Sequence, residues 1–461
     1  MKKNLSFLKT NQYIIFIVCV FFLGFFLRVF RLPDFISYHQ DQVRDLIYIQ
    51  DHFQQGKIIL LGPKASVGNF FLPPFWYYLM SFVYIFSSSP LAPAFLVVVL
   101  NSLTVVIIYL FCNKFFDKKT AIFSSFLYAV SPFSIEYSRF AWNPNPIPFF
   151  TALSIYFLFS YFYEKRATSF YLSLITASLT FQLHYQGFLL VVAVFLVSLL
   201  KKDYKNFILG SAIFVILLAP FFISEIQNNF QNTKEIVYFL ERTTQGKSFG
   251  IKNSIKAFTQ ETPEFFARSI FFNFKILGII FSFIFYILIG QFLFNFLGKK
   301  IDLKNKQNLL IFLLTILFLT LFIYRQWIVS YYLLVAIVPL IIFFVLIFKK
   351  YPLVLILIII LNLYSSPSFK EPGLSKNFFE NTVKLLQQNN IPPTCIKYEI
   401  KNKDLRFAPQ GISYLFKIKS VNIAPKNNCL QKFYICEIGL CDKIRIKVVE
   451  NNKTLGLEAR F

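Results

Sequence analysis

Two carboxylates one helical turn apart, with an arginine between them, are the most chemically suggestive feature of this sequence. Residues 39–45 read His39-Gln40-Asp41-Gln42-Val43-Arg44-Asp45. From Asp41 onward the pattern has helical period. At about 100° per residue, Val43, Leu46, Ile47 and Phe53 share one face, and Asp41, Asp45, Tyr48 and His52 share the opposite one. Gly56 is placed to end the helix. This predicts a helix lying on a membrane, its apolar side in the lipid boundary and its acids facing outward or into a cavity. Two charged carboxylates so close repel unless an arginine, a metal or a proton lies between them. A carboxylate held that way can act as a general base or hold a metal. A plain solvated polar face has the same periodicity.

Other polar groups stand in apolar surroundings. After Leu61-Gly62-Pro63-Lys64, where Gly and Pro imply a turn, Lys64 could meet an anion. Pro73-Pro74-Phe75-Trp76-Tyr77-Tyr78 starts a helix at prolines, where a missing N–H costs little; its aromatics also fit an interfacial belt. Between Ser131 and Pro148 stand Glu136, Arg139, Trp142, Asn143 and Asn145. Arg139 could grip phosphate bidentately, pair with Glu136, or snorkel. His184, between Gln182 and Gln186, is a functional candidate at membrane depth or a histidine satisfying a turn. Arg325 lies at a further turn. Arg242, Arg268, Glu225, Glu235 and Glu241 are scattered over 223–275.

Composition says what positions these groups. The chain has 461 residues, 56% hydrophobic and only 15% charged, with 63 Phe and 25 Tyr. A soluble chain is about 45–50% apolar and about 25% charged, so a single water-soluble fold and a disordered chain are both excluded. Apolar runs long enough for membrane spans fall near 11–30, 91–112, 120–135, 146–163, 169–183, 186–200, 207–222, 276–297, 308–324, 328–348 and 352–364. With the N-terminus in the cytoplasm, segments 1–10, 113–119, 164–168, 201–206, 299–307 and 349–351 hold 17 basic and four acidic residues. This matches the positive-inside rule only if 73–86 does not cross, so 73–86 reads as re-entrant or juxtamembrane. The expectation is an α-helical polytopic membrane protein of about 11 transmembrane helices over 1–364, in the cell (plasma or inner) membrane. Its outer loops are 31–72, 136–145 and 223–275. Residues 365–461 are more polar and predict a small extracytoplasmic α+β domain, with a helix over 375–390 and strands near 396–400 and 444–448. Cys395, Cys429, Cys436 and Cys441 lie in it, where disulfides persist; three pairings are open. Cys19 and Cys112 read as packing residues. The net charge of +25 is therefore mostly topology signal and tail, not a nucleic-acid footprint.

The order of these motifs resembles the polyprenol-dependent membrane glycosyltransferases of the GT-C fold, family 39/83-like. That group is related to the protein O-mannosyltransferases, the aminoarabinose transferase of lipid A and, more distantly, the oligosaccharyltransferase catalytic subunit. The resemblance covers about residues 11–200. It rests on Asp41 and Asp45 in H-Q-D-Q-V-R-D, on Gly62-Pro63, and on Pro73 through Tyr78. Ser131-Pro132, Tyr137-Ser138-Arg139, Trp142-Asn143-Pro144 and Leu183-His184-Tyr185 add to it. It implies a polyprenyl-phosphate sugar donor, an inverting attack by an acceptor hydroxyl, and Asp41 as base with Asp45 and Arg44 orienting it. Lys64, Arg139, Arg325, His184, His39, Tyr77 and Asn143 would bind donor phosphate or substrate. The acceptor is a glycan, a lipid or a protein. Two departures stand out. Gln42 follows Asp41 where many relatives have Glu, and Asn143 and Asn145 stand where many have an acid; a divalent metal is thus left open. No Gly-rich phosphate loop is present, so no nucleotide cofactor is expected.

Rival readings are a transporter or flippase of lipid-linked saccharides, an outer-leaflet glycan polymerase or ligase, and a membrane subunit without chemistry. Spans nearly free of charge and the lack of an internal repeat stand against a transporter. A polymerase or ligase would rely on Arg242, Arg268 and His184 more than on Asp41.

Overall fold

A chain inside a bilayer has no water for its backbone and closes its hydrogen bonds within helices. The computed structural model of this protein follows that constraint. It describes residues 2–36, 40–65, 68–245, 251–298, 300–319, 321, 329–370, 380, 383–384, 396–399, 432–437, 446–450 and 453–460. The helices run α1 (Lys2–Val29), α2 (Gln40–Gln55), α3 (Phe75–Phe86), α4 (Leu91–Phe115), α5 (Lys118–Val130), α6 (Pro132–Glu136), α7 (Ile147–Glu164), α8 (Ala167–Leu183) and α9 (Phe188–Leu200). They continue as α10 (Tyr204–Leu217), α11 (Ala219–Gln227), α12 (Gln231–Gln245), α13 (Ile251–Lys256), α14 (Thr262–Ser269), α15 (Lys275–Leu297), α16 (Lys306–Phe318), α17 (Ile337–Phe348) and α18 (Pro352–Tyr364).

Among the described residues the apolar runs expected to cross fall mainly on helices, but the helix lengths do not give a simple count of 11 spans. Among the described residues, five helices are long and apolar enough to cross a membrane, or six if the bent pair α10 and α11 forms one span. That pair bends by 60° because Pro220 has no N–H to donate and its ring crowds the preceding turn. α3, with 12 residues, reaches ~18 Å at 1.5 Å per residue, short of a hydrocarbon core ~30 Å thick. α5, α9 and α16, with 13 residues each, are about as short, so length alone does not set α3 apart.

The core lies where α4, α5, α7 and α8 pack together with α1 and α17. Its hydroxyls are satisfied locally: Ser102, Ser125 and Ser178 each donate to the carbonyl four residues back, at 2.7, 2.8 and 2.7 Å. This is how polar side chains are tolerated in such helices. Arg28, wholly buried in α1, uses its guanidinium as a clamp. It donates to the Gly24 and Ala129 carbonyls (2.9 Å each), the Tyr128 carbonyl (3.3 Å), Ser134 Oγ (2.7 Å) and Ser138 Oγ (3.2 Å). The opposite surface is lipid-like: on α15, Ile276, Ile279, Phe283, Ile287 and Phe294 are exposed along the helix.

The basic ends of the helices gather on one side. Lys114 pairs with Glu164 at 2.8 Å and Lys349 with Asp117 at 2.6 Å. Tyr161 donates to Asp203 at 2.8 Å, and Tyr163 to the Leu303 carbonyl at 3.0 Å. Segments 113–119, 164–168, 201–206, 300–307 and 349–351 thus share one end of the bundle.

Toward the C-terminus, β1 (Ile396–Glu399), β2 (Lys432–Glu437), β3 (Ile446–Glu450) and β4 (Lys453–Arg460) form a sheet in the order β1-β2-β4-β3. β1 is parallel to β2, and the other pairs are antiparallel. β1 and β3 fall on the two alternating segments. Most of the expected helix at 375–390, together with Cys395, Cys429 and Cys441, lies outside the described residues.

Candidate functional site

α2 is fastened to α3 through a buried carboxylate. Asp45 is 1% exposed. It accepts from Trp76 Nε1 at 2.9 Å and from the Tyr77 hydroxyl at 3.0 Å. Arg44 closes the set: Nε and Nη2 each reach Asp45 Oδ1 at 2.8 Å, and Nη1 reaches Asp41 Oδ1 at 2.8 Å. Arg44 therefore bridges the two acids, as the sequence asks of some cation. The aromatic run at 75–78 has a matching purpose, since it supplies the donors that hold Asp45.

Two expectations are corrected here. The apolar face of α2 is divided: Val43 and Leu46 are buried in protein, while Ile47 is half-buried and Phe53 exposed, and α3 covers the other side. Asp45 does not share an open face with Asp41, because its oxygens are taken by Arg44, Trp76 and Tyr77. Tyr77, itself buried, supports Asp45 and lines neither of the two cavities described below.

The Gly62-Pro63 and Pro73-Pro74 motifs turn out to be one object. Gly62 N–H donates to the Leu72 carbonyl at 2.7 Å, and Leu72 N–H to the Pro63 carbonyl at 3.0 Å. A Cβ on Gly62 would stand 2.2 Å from the Pro73 carbonyl oxygen, so only glycine permits this approach. Tyr185 donates to the Phe71 carbonyl at 2.6 Å, and Asn232 accepts from Phe71 N–H at 2.6 Å. The ribbon thereby presents Lys64 beside α2.

Two cavities meet at Asp41. One, of about 740 Å³, is polar and aromatic; its wall includes Asp41, Glu136, Tyr137, Arg139, Arg268 and Lys370. The other, of about 720 Å³, is largely apolar, with Leu72, Phe181, Leu189, Val192, Leu196 and Phe239; Arg44, Lys64, Asn143 and His184 provide its polar points. Asp41, Trp142 and Tyr331 line both. Trp142 and Tyr331 meet edge to face at 4.6 Å between ring centroids. His184 lies 5.1 Å from the Tyr332 ring; burial pushes its pKa down to about 4, so it is neutral at physiological pH.

Other sequence candidates are placed differently from expectation. Arg139 does not offer its fork to a phosphate. It donates to the Leu27 carbonyl at 3.0 Å and to the Phe30 carbonyl, and its guanidinium lies 3.8 Å over the Phe35 ring. It also does not pair with Glu136, which takes Arg268 instead at 2.6 Å. Asn143 donates to the Leu183 carbonyl at 2.6 Å, capping the end of α8. His39 and Arg325 lie outside the described residues. Arg268 and Lys370 were missed as cavity residues. Arg268 stands 132 positions from Glu136, and no local period in 223–275 marks it.

A divalent cation takes several hard oxygen or nitrogen donors. Among the described residues no three His, Cys, Asp or Glu side chains converge. Asp45 is occupied by donors, and Arg44 already stands between the acids. These residues do not fit a resident metal.

Burial pushes the Asp45 carboxyl up to about 6, against the opposing pull of Arg44, Trp76 and Tyr77. A raised carboxyl pKa means that stability from this group is full below its unfolded pKa, about 4, and falls as pH rises through about 6. The Tm difference between wild type and Asp45→Asn is therefore expected to shift toward wild type as pH drops from 7.5 to 5. Thermal scanning of the detergent-solubilised protein at several pH values measures it, and a pH-independent difference contradicts the burial assigned to Asp45.

Residues 72–224 match the family described as dolichyl-phosphate-mannose-protein mannosyltransferase. An uncharacterized protein of Aquifex aeolicus (strain VF5) is 34% identical over 109 residues, which are 23% of this chain and 22% of that protein. The chain thus spans less than a quarter of that relative in the matched region. The oligosaccharyltransferase of Archaeoglobus fulgidus, tethered with an acceptor peptide, superposes with TM-score 0.53 and 15% identity, over 89% of this chain and 64% of that one. The same enzyme, AglB, with an inhibitory peptide and a dolichol-phosphate, gives TM-score 0.50 and 15% identity over 88% and 64%. Residues 72–224 thus resemble the dolichyl-phosphate-mannose-protein mannosyltransferases, and the chain shares its fold with the Archaeoglobus fulgidus oligosaccharyltransferase, of whose length it covers less than two thirds.

Proposed function

We propose that the protein moves a sugar from a polyprenyl-phosphate donor to an acceptor hydroxyl, with inversion, on the extracytoplasmic side of the cell membrane. The observation that carries this reading is the junction: Asp41 lines both the apolar and the polar cavity. The apolar cavity takes the prenyl chain, with the phosphate near Lys64, Arg44 and His184. The polar cavity takes the acceptor. Asp41 removes the proton of the acceptor hydroxyl, and its oxygen forms a bond to the anomeric carbon. The bond from that carbon to the phosphate oxygen breaks, and the electron pair leaves with polyprenyl phosphate. Lys64 and Arg44 offset the charge that develops on the leaving group. Asp45, Trp76 and Tyr77 fix Arg44, which in turn fixes Asp41. No step passes through a metal. The dolichol-phosphate in the related AglB complex supports a lipid-linked donor.

The proposed orientation places the N-terminus in the cytoplasm and residues 365–461, as a separate domain, outside. It is supported by the gathering of Lys114, Lys349, Lys201 and their neighbours at one end of the bundle, since cytoplasmic loops carry such charge.

The reading is tested by incubating the reconstituted full-length protein with a panel of polyprenyl-phosphate sugars and measuring released polyprenyl phosphate. No release from any donor overturns it. The apolar cavity has its own test. Val192→Trp fills the prenyl path and is expected to raise KM for a long-chain donor by about tenfold, equivalent to about 1.4 kcal/mol, while a two-isoprene donor is little affected. Equal effects on both donors would place the chain elsewhere.

A glycan polymerase or ligase is the second reading. Arg268 and His184 facing the cavities favour it.

A further inference from the structure

The polar cavity carries two acid–base pairs and one aromatic surface. At its junction end Asp41 is matched by Arg44 at 2.8 Å. Along the wall Glu136 is matched by Arg268, whose Nη2 donates to Oε2 at 2.6 Å. Arg268 is seated from behind. Its guanidinium lies 5.1 Å from the Phe133 ring centroid and 5.9 Å from that of Tyr137, and its side chain is 19% exposed. Glu136 is far more open, with its side chain 48% exposed. Among the described residues Arg268 is the one hydrogen-bond donor to this carboxylate. An ionised carboxylate has about four acceptor sites on its two oxygens, so Glu136 keeps capacity toward the cavity that it lines. Arg139 offers nothing comparable, because the Leu27 and Phe30 carbonyls take its terminal nitrogens. Lys370 is a lone exposed charge, which solvent and salt screen.

Beside Glu136, four rings form a closed set. Centroids are 6.0 Å apart for Tyr137 and Phe140, 6.1 Å for Phe140 and Trp142, 4.6 Å for Trp142 and Tyr331, and 6.3 Å for Tyr331 and Tyr137. All four line the cavity and all four keep partial exposure, so this is not a sealed core cluster. Tyr137 follows Glu136 in sequence, which puts the carboxylate at the edge of the aromatic surface. Asn273 lines the same cavity, and its side-chain amide adds donors and an acceptor. An aromatic face edged by a carboxylate complements a sugar ring, which is apolar on its C–H face and carries hydroxyl donors at its rim. Acids already matched by cations suit a ring without charge of its own. The volume of about 740 Å³ is ample for a small saccharide, given that ligand sites span roughly 300–1,000 Å³.

We infer that the polar cavity is a subsite for a neutral saccharide, its ring laid on the surface of Tyr137, Phe140, Trp142 and Tyr331 and two adjacent hydroxyls donated to the Glu136 carboxylate. This rests on the glycosyl-transfer reading for one point. Asp41 lines the same cavity, so the saccharide is the acceptor and a further hydroxyl of it is the nucleophile. Glu136 is then a specificity-determining residue that touches the acceptor, and Arg268 balances its charge.

The test uses the full-length protein in nanodiscs, without donor, read by saturation-transfer NMR against empty nanodiscs. Four probes are titrated: a neutral disaccharide of glucose, its fully O-methylated form, the counterpart with one glucuronate ring, and a neutral Ser/Thr peptide. The neutral disaccharide is expected to receive saturation on its ring C–H protons. It should bind about tenfold tighter than the O-methylated form, which keeps the C–H faces and loses every donor; this is the scale of one charge-assisted hydrogen bond. The glucuronate counterpart should bind no tighter than the neutral one. Glu136→Gln is expected to weaken the neutral disaccharide several-fold and to leave the O-methylated form unchanged. Glu136 is half exposed, so the variant should melt as wild type does. No saturation of the neutral disaccharide, equal affinity for its free and O-methylated forms, tighter binding of the glucuronate form, capture of the peptide but not of the disaccharide, or wild-type affinity in Glu136→Gln would overturn the inference. Because no donor is present, such a result leaves the transfer reading standing. Failure of transfer with the disaccharide still bound at Glu136 removes the word acceptor and leaves the subsite.

Discussion

Replacing Asp41 by Asn is expected to lower glycosyl transfer by about 10²–10⁴-fold, the usual contribution of a positioned general base. The amide keeps the shape of the carboxylate, and its oxygen still accepts from Arg44, so α2 stays in place and the protein elutes and melts as wild type does. The fall should lie in kcat, with KM for the lipid donor nearly unchanged, because the proposed prenyl path runs along Leu189, Val192 and Leu196, away from the carboxylate of Asp41. An interaction made only in the transition state has this signature. Asp41→Glu should retain part of the activity, since it moves the base without removing it. Full activity in the Asn variant would remove Asp41 from the mechanism. If Arg268→Gln and His184→Ala were then the damaging changes, the polymerase or ligase reading would take its place. The comparison is informative because all three side chains face the cavities and Asp41 alone among them lines both.

The legibility of the site in the sequence was uneven, and the reasons are physical. Asp41 and Arg44 could be found because a helix brings positions three apart to the same side, and that spacing is local. The same reasoning put Asp45 on an open polar face. Helical period assigns faces but does not say what covers them, and α3, some 30 residues on, covers this one with Trp76 and Tyr77. The Gly62-Pro63 and Pro73-Pro74 motifs were visible as motifs, but their pairing was not, because backbone contact between them leaves no periodic trace. Arg139 was over-read. An arginine at a membrane edge suggests phosphate, yet the end of α1 offers unsatisfied carbonyls at Leu27 and Phe30, and a guanidinium meets that need equally well. Arg268 was under-read because its partner Glu136 belongs to a different loop. The helical fold itself was far more legible. Apolar runs over a whole bundle are a strong signal, although Pro220 and the short lengths of α5, α9 and α16 kept run count and span count apart.

Arg44→Met is the change expected to cost most in stability. Met replaces the long arginine stem with apolar bulk, so packing is largely kept and the charge is what is lost. Asp45 then remains buried with no cation, and breaking a buried pair from one side costs about 3–5 kcal/mol. The loss should depend on pH. Asp45 is already pushed up to about 6 by burial, with Arg44 the first of the groups pulling it down. Removing Arg44 raises it further, so the neutral acid persists to higher pH. At pH 5 the carboxyl is protonated and keeps its contacts with Trp76 and Tyr77, and the loss is small. As pH rises toward 8, the variant must either bury a bare carboxylate or hold a proton against the solution, and the deficit relative to wild type grows. Adding Asp45→Asn to Arg44→Met should recover much of the stability at pH 8 and remove the pH dependence, since Asn keeps an acceptor for Trp76 without the charge. The double variant should still transfer poorly, because Asp41 has lost the guanidinium that holds it. Thermal unfolding of both variants between pH 5 and 8, with transfer measured alongside, separates the two roles of Arg44. A single variant as stable as wild type at pH 8 would show that Arg44 is not what makes the buried carboxylate tolerable. A double variant with full transfer would show that Asp41 needs no such support.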